Sequence, residues 1–132
     1  MIFVDSNIPM YLVGAPHPHK DDARRLLERF VAERTPLVTD AEVFQEILHR
    51  YVAIDRRDAI KSSFTLLLNL VDEVYSIQLS DTERARDLVL SKRKLSARDA
   101  IHVAVMERTG AKRILSFDSG FDSVSGLTRI SE

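Results

Sequence analysis

The N-terminal run Ile2-Phe3-Val4, closed by Asp5, constrains this chain more than any other feature. Three apolar residues without polar alternation suit a strand buried on both faces, the condition of a strand inside a parallel sheet. Parallel neighbours need crossover connections, and the rest of the chain supplies them. Helical spacing puts Ala23, Leu26, Leu27, Phe30 and Val31 on one face of a segment from Lys20 to Ala32. It likewise aligns Val43, Phe44, Ile47, Leu48 and Tyr51 behind Asp40, a good N-cap, and Ile60, Phe64, Leu67, Leu68 and Val71 in the helix expected from Arg57 to Leu70. Ser80 or Asp81 is expected to cap a helix reaching Leu90. Ala97 to Arg108 is the most apolar helix and ends at Gly110. Pro36 to Thr39, Glu73 to Ile77, Lys112 to Ser116 and Leu127 to Ile130 read as strands, and Gly14 to His19 as a loop. The alternation predicts a single three-layer α/β/α domain over residues 1–132, built on a short central parallel sheet of four to five strands.

Composition narrows the chemistry. With 132 residues, 45% of them apolar and 30% charged, the chain has room for one core. A net charge of −1 does not mark it as a nucleic-acid binder, although a cation held at an acidic site would reverse the sign a phosphate meets. The absence of cysteine removes disulfides, thiolate zinc sites and cysteine nucleophiles. No apolar run approaches bilayer length, and Asp5 and Pro9 interrupt any signal-peptide core, so a soluble, cytoplasmic protein without membrane contact is expected.

Four acids sit where strands end or helices begin: Asp5, Glu46, Asp99 and Asp118. Acids at strand exits of an α/β sheet face the crevice where such folds bind ligands. Several carboxylates in one pocket raise one another's pKa and need a counter-charge. Mg²⁺ or Mn²⁺, hard cations that prefer oxygen, would supply it. Each acid also has a plainer role. Asp5 opens Asp-Ser-Asn, which is turn chemistry. Ser96-Ala97-Arg98-Asp99 fits a capping box, and Asp118 could form the turn Ser116 to Gly120. On the helix after Asp40, Glu42 and Glu46 compete; Glu46 lies at the margin of the apolar stripe, whereas Glu42 is expected to point further out. Asp122 is a possible additional acid.

Basic residues flank these positions. Lys92-Arg93-Lys94 and Arg98 run into the Asp99 turn, and Arg50 follows Glu46 by one helical turn, so together they could form a phosphate-holding rim. Arg56-Arg57 reads as a solvated face. The histidines show no zinc pattern: His17 and His19 lie in a Pro-rich loop, while His49 and His102 stand alone on helices.

Ile2-Phe3-Val4-Asp5-Ser6-Asn7, Glu46 within Asp40 to Ile47, Leu95-Ser96-Ala97-Arg98-Asp99-Ala100 and Ile114-Leu115-Ser116-Phe117-Asp118 together resemble a PIN domain, and more narrowly the VapC ribonuclease toxins of toxin–antitoxin pairs. The likeness spans the whole chain in order and length. It implies that Asp5, Glu46, Asp99 and Asp118 are the catalytic acids, with Asp5, Asp99 and Asp118 as metal ligands and Glu46 and Asp122 as possible ones. Asn7 and Ser116 match small polar positions near the metal. The resemblance further implies Mg²⁺- or Mn²⁺-dependent endonucleolytic RNA cleavage leaving a 3′-hydroxyl, homodimerisation, and inhibition by a cognate antitoxin whose C-terminal segment covers the site. Two other functions fit parts of the pattern. One is a Mg²⁺-dependent phosphohydrolase with Asp5 as covalent nucleophile, although position 7 is Asn where that class usually wants Asp. The other is a non-catalytic α/β binding module whose acids merely cap helices and turns.

Overall fold

Ile2–Val4 forms strand β1, and all three of its side chains are completely buried. The computed structural model describes residues 1–132. Four further strands are β2 (Leu37–Asp40), β3 (Glu73–Tyr75), β4 (Arg113–Leu115) and β5 (Thr128–Ile130). They make one sheet in the order β3-β2-β1-β4-β5, and every pairing is parallel. The central strand is therefore the most apolar one. Burying a side chain such as Phe3 contributes about 1.5–3 kcal/mol, so β1 anchors the core from the middle of the sheet.

Six helices cover the sheet: α1 (Asn7–Val13), α2 (His19–Ala32), α3 (Ala41–Ala53), α4 (Ile60–Leu70), α5 (Leu79–Ser91) and α6 (Ala97–Thr109). Short 3₁₀ turns occupy Arg57–Ala59 and Ser119–Ser123. No helix is long and apolar enough to cross a membrane. Asp40 caps α3 as expected, accepting from Val43 N at 3.0 Å. Ser96 caps α6, accepting from Asp99 N at 3.2 Å, and Gly110 ends α6 with φ of 84°, a left-handed conformation that glycine takes without strain.

Some expectations are corrected. Helix α1 occupies residues for which the sequence suggests no element beyond the Asp5-Ser6-Asn7 turn; Pro9 falls in its first turn, where a missing N–H costs little. Neither Ser80 nor Asp81 is the cap of α5. Gln78 is, while Asp81 at the third helical position accepts from the Gln78 backbone N–H at 2.9 Å, completing a reciprocal cap. Val31 (57%), Leu48 (42%) and Leu68 (55%) are exposed rather than core residues. Each directly follows a buried residue (Phe30, Ile47 or Leu67) and is therefore turned about 100° further round its helix.

The strand order places the site. The chain proceeds from β1 outward to β2 and β3, then returns to lay β4 on the other side of β1. Connections diverge at the carboxyl ends of β1 and β4, which opens a crevice there. Val4 pairs with Leu115, so the residues leaving the two strands, Asp5 and Ser116, emerge side by side.

Candidate functional site

Asp5 is 2% exposed and both of its oxygens are engaged. Oδ1 accepts from Ser6 N at 2.8 Å; Oδ2 accepts from the Ser116 hydroxyl and, at 3.3 Å, from Asn7 Nδ2. Asn7 also donates to Ser116 Oγ (3.3 Å) and accepts from Phe117 N (3.4 Å), while Ser116 Oγ accepts from Asp118 N (3.0 Å). One hydrogen-bonded lattice thus ties the exit of β1 to the exit of β4. Asn7 and Ser116 are its nodes, at the positions where the sequence suggested supporting polar residues.

Helix α6 brings Asp99 into this corner, where its carboxyl lies close enough to Asp118 and Asp5 to feel their charges. Asp99 is 5% exposed. Burial, then the carboxyls of Asp118 and Asp5, push its pKa up to about 8. Asp118 is exposed at the mouth, and its Oδ1 accepts from Gly120 N at 2.9 Å. A side chain at position 120 would crowd both the Lys94 carbonyl (3.1 Å) and that same oxygen (3.2 Å). No Lys, Arg or His forms an ion pair with Asp99 or Asp118.

Helix α3 contributes Glu46 from the other side. Asp5, Glu46 and His102 each place one ligand atom within 4.8 Å of the others. His102 does not stand alone, as the sequence suggested. Completely buried on α6, it donates Nδ1–H to Asp40 Oδ2 at 2.8 Å and turns Nε2 toward Glu46 Oε1 (3.4 Å) and Asp5 Oδ1 (4.0 Å). Burial works against its charge, but Asp40, Glu46 and Asp5 outweigh burial and raise its pKa well above the ordinary value. The imidazolium in turn holds Glu46 below the usual carboxylate range, against the effect of burial, by hydrogen bond and charge. Asp5 is raised: its burial exceeds the help from His102 and the Ser116 hydroxyl. Asp40, expected only as a cap, therefore caps α3 with one oxygen and orients His102 with the other.

Glu42 and Glu46 side chains are almost equally shielded, at 18% and 17%, so exposure does not separate them as expected. Their partners do: Glu42 pairs with Arg98 at 3.7 Å, and Glu46 faces His102 and Asp5. Asp122 turns to Arg129 in a two-pronged pair of 2.9 and 3.0 Å, away from Asp5. Arg50 lines the hollow of about 430 Å³ above Asp5, Glu46 and Asp118. Arg56, read from the sequence as a solvated face, lines it too while bonding Asp58. Lys94 borders an adjoining groove with Asp118 and Asp122; Lys92 and Arg93 line neither. Arg98 is occupied by Glu42.

Carboxylates gathered round one hollow at a switch point of a parallel sheet define a domain suited to binding a divalent ion for phosphate chemistry. Residues 2–127 match the PIN domain. The chain is 58% identical over 130 residues to Ribonuclease VapC13 of Mycobacterium tuberculosis, covering 98% of this chain and 99% of that protein. The crystal structure of VapC20 from the same organism, a sarcin-ricin loop cleaving toxin, shares the fold with a TM-score of 0.83 at 22% identity over all of both chains. A toxin–antitoxin complex from Klebsiella pneumoniae contains the same fold, with a TM-score of 0.69 at 16% identity, covering 97% of this chain and 96% of that one. This chain belongs to the PIN-domain family, among its VapC ribonucleases.

Proposed function

We propose that this protein is a Mg²⁺- or Mn²⁺-dependent endoribonuclease acting as the toxin of a toxin–antitoxin pair. The observation that carries the proposal is that Asp5, Glu46 and Asp118 line one hollow, with Asp99 close enough for the charges of Asp5 and Asp118 to raise its pKa. Such a set fits a hard divalent cation: all donors are oxygens, and burial makes the charged forms costly until a cation arrives. Asp5, Asp99 and Asp118 would hold it. When bound, the ion lowers the pKa of an attacking water and neutralises charge on the scissile phosphodiester.

The chain's own residues do the positioning. Ser116 and Asn7 fix Asp5 Oδ2, so its orientation is set before any ligand enters. Glu46, kept ionised by His102, faces the same hollow and orients the attacking water. Arg50 and Arg56 on its wall hold the flanking phosphates. The relatives' designation as ribonucleases supports RNA as substrate, and the Klebsiella complex supports an antitoxin partner. Homodimerisation belongs to the same proposal: Leu48 and Val52 on α3 and Leu68 on α4 are exposed apolar side chains that an interface would cover. Asp5 is a poor candidate for the covalent nucleophile of a phosphohydrolase, because it is buried with both oxygens engaged.

The test is RNA cleavage by the purified chain with and without Mn²⁺. Cleavage is expected only with the ion. It is expected to fall by more than about 100-fold in Asp5→Asn and Asp99→Asn, since even outer-shell partners are worth about 10–100-fold. Undiminished cleavage by both well-folded variants would reject the proposal.

A further inference from the structure

One wall of the hollow is aromatic, and the carboxylate chemistry makes no use of it. Tyr11 on α1 stacks on His17 at 4.2 Å and 21°. Phe117, between Ser116 and Asp118, stacks on His19 at 4.2 Å and 13°. The two stacks meet edge to face, with Tyr11 and Phe117 centroids 5.6 Å apart at 63°. These rings are not core: His17 is exposed, and the other three are partly exposed. Tyr11, His17 and Phe117 line the same hollow as Asp5, Asn7 and Asp118, and its volume of about 430 Å³ falls in the range of small-ligand clefts, about 300–1,000 Å³. His19 Nδ1 is the one buried side-chain nitrogen or oxygen in the molecule without a hydrogen-bond partner. Such a group calls for an explanation, and here it sits on the ring that backs Phe117.

We propose that Tyr11, His17 and Phe117 form a stacking platform for a single unpaired RNA base beside the phosphate addressed by the carboxylates. The proposal rests on the ribonuclease reading and adds how substrate is held. Every base has a π-face, and unpaired bases stack on Tyr, Phe and His side chains in single-strand recognition. Asn7 couples the platform to the chemistry, because it bonds Asp5 Oδ2 with its amide nitrogen and the Phe117 N–H with its amide oxygen. A base on the platform therefore sets the register of the phosphate over Asp5. Arg50 and Arg56 line the same hollow, where the backbone on either side of that base would pass. A paired duplex cannot present the face of one base, so the platform selects unpaired segments.

The experiment uses the full chain with Mn²⁺ and a single-stranded oligoribonucleotide containing a cleavage site mapped with the wild-type protein. His17→Ala and Phe117→Ala are expected to raise KM about 5- to 150-fold, the range of one lost base stack, with a smaller change in kcat. Tyr11→Ala is expected to raise KM in the same way, and Tyr11→Phe, which restores the ring, to recover most of that loss. Replacing the nucleotides flanking the cleaved bond by abasic ones, one at a time, raises the wild-type KM at one position, and Phe117→Ala loses nothing further on that substrate. The Mn²⁺-induced rise in melting temperature stays as in wild type, which separates the platform from the metal corner. If wild type cleaves and the alanine variants match it in KM, the platform is overturned while the nuclease reading stands. If wild type cleaves no RNA, both fall. If KM is unmoved but the tagged His17→Ala chain no longer copurifies with its antitoxin, the wall serves a protein partner, and the RNA proposal is overturned.

Discussion

Asp5 stands between two neighbourhoods that handle negative charge in opposite ways. On one side, Asp40 and Glu46 surround the buried His102 imidazole and favour its charged form. On the other, Asp99 and Asp118 have no ion-pair partner, and burial together with the neighbouring carboxylates raises the pKa of Asp99. The first neighbourhood is complete without a ligand. The second is not. A divalent ion therefore gains most on the Asp99–Asp118 side, while His102 spares the protein from having to neutralise every acid with metal. The predictions that follow test this division, beginning with the largest effect.

His102→Leu removes the internal cation and leaves Asp40, completely buried, without its partner. Breaking a buried pair by deleting one member costs about 3–5 kcal/mol, so urea unfolding should show a loss of that order. His102→Gln, which can still donate to Asp40, should lose less. If leucine were tolerated without loss, the imidazolium would not be the counter-charge of this neighbourhood.

Mn²⁺ should stabilise the wild type by mass action, by about 2.7 kcal/mol at about 100 times its dissociation constant. Asp99→Asn should abolish that gain. Glu42→Gln should retain it, because Glu42 pairs with Arg98 outside the corner. Equal Mn²⁺ stabilisation of wild type and Asp99→Asn, read from thermal melts, would move the ion to the His102 side.

The pH dependence of the ion-free protein sharpens the contrast. Asp99 has a folded pKa raised from 3.8 to about 8, so its contribution to stability is fully present below the lower value and is lost as pH rises toward the upper one. Glu46 runs the other way: with a lowered folded pKa it stabilises above its ordinary value of 4.5 and loses that contribution as pH falls. Asparagine at position 99 keeps the shape and cannot ionise. Without metal, Asp99→Asn should therefore become progressively more stable than wild type between about pH 4 and pH 8, by at most about 1.4 kcal/mol per pH unit. Parallel stability curves for the two proteins would show that Asp99 carries no unfavourable charge.

Much of this arrangement was legible in the sequence, and the exceptions have physical reasons. The apolar run Ile2 to Val4, the helical stripes and the caps Asp40 and Ser96 depend on residues within one or two turns, and they formed as local chemistry requires. Strand exits and a helix start in an alternating fold led to the expectation that Asp5, Asp99 and Asp118 share a crevice, and Asp99 does feel the charges of the other two. The His102 neighbourhood was hidden because its partner Asp40 is 62 residues away and the contact exists only once α6 packs beside α3. One signal could have exposed it: His102 follows Asp99 by three positions, which puts a histidine on the same helix face as a candidate ligand. Helix α1 was masked by Pro9, which is tolerated only because it falls in the first turn.

Asp122 marks the outer limit of the acidic corner, and it gives the smallest effect. In sequence it lies four residues beyond Asp118 and reads as a possible ligand. In the fold, the 3₁₀ turn Ser119–Ser123 carries it away, and both of its oxygens accept from Arg129, which also donates to the Ser116 carbonyl at 3.3 Å. That pair is solvent-exposed on the Asp122 side and screened by salt, so losing it costs little. Asp122→Asn should leave the melting temperature, the Mn²⁺ shift and RNA cleavage close to wild type. A loss of cleavage comparable to that of Asp118→Asn would place Asp122 among the ligands, with Arg129 serving as a latch that releases it when the ion binds.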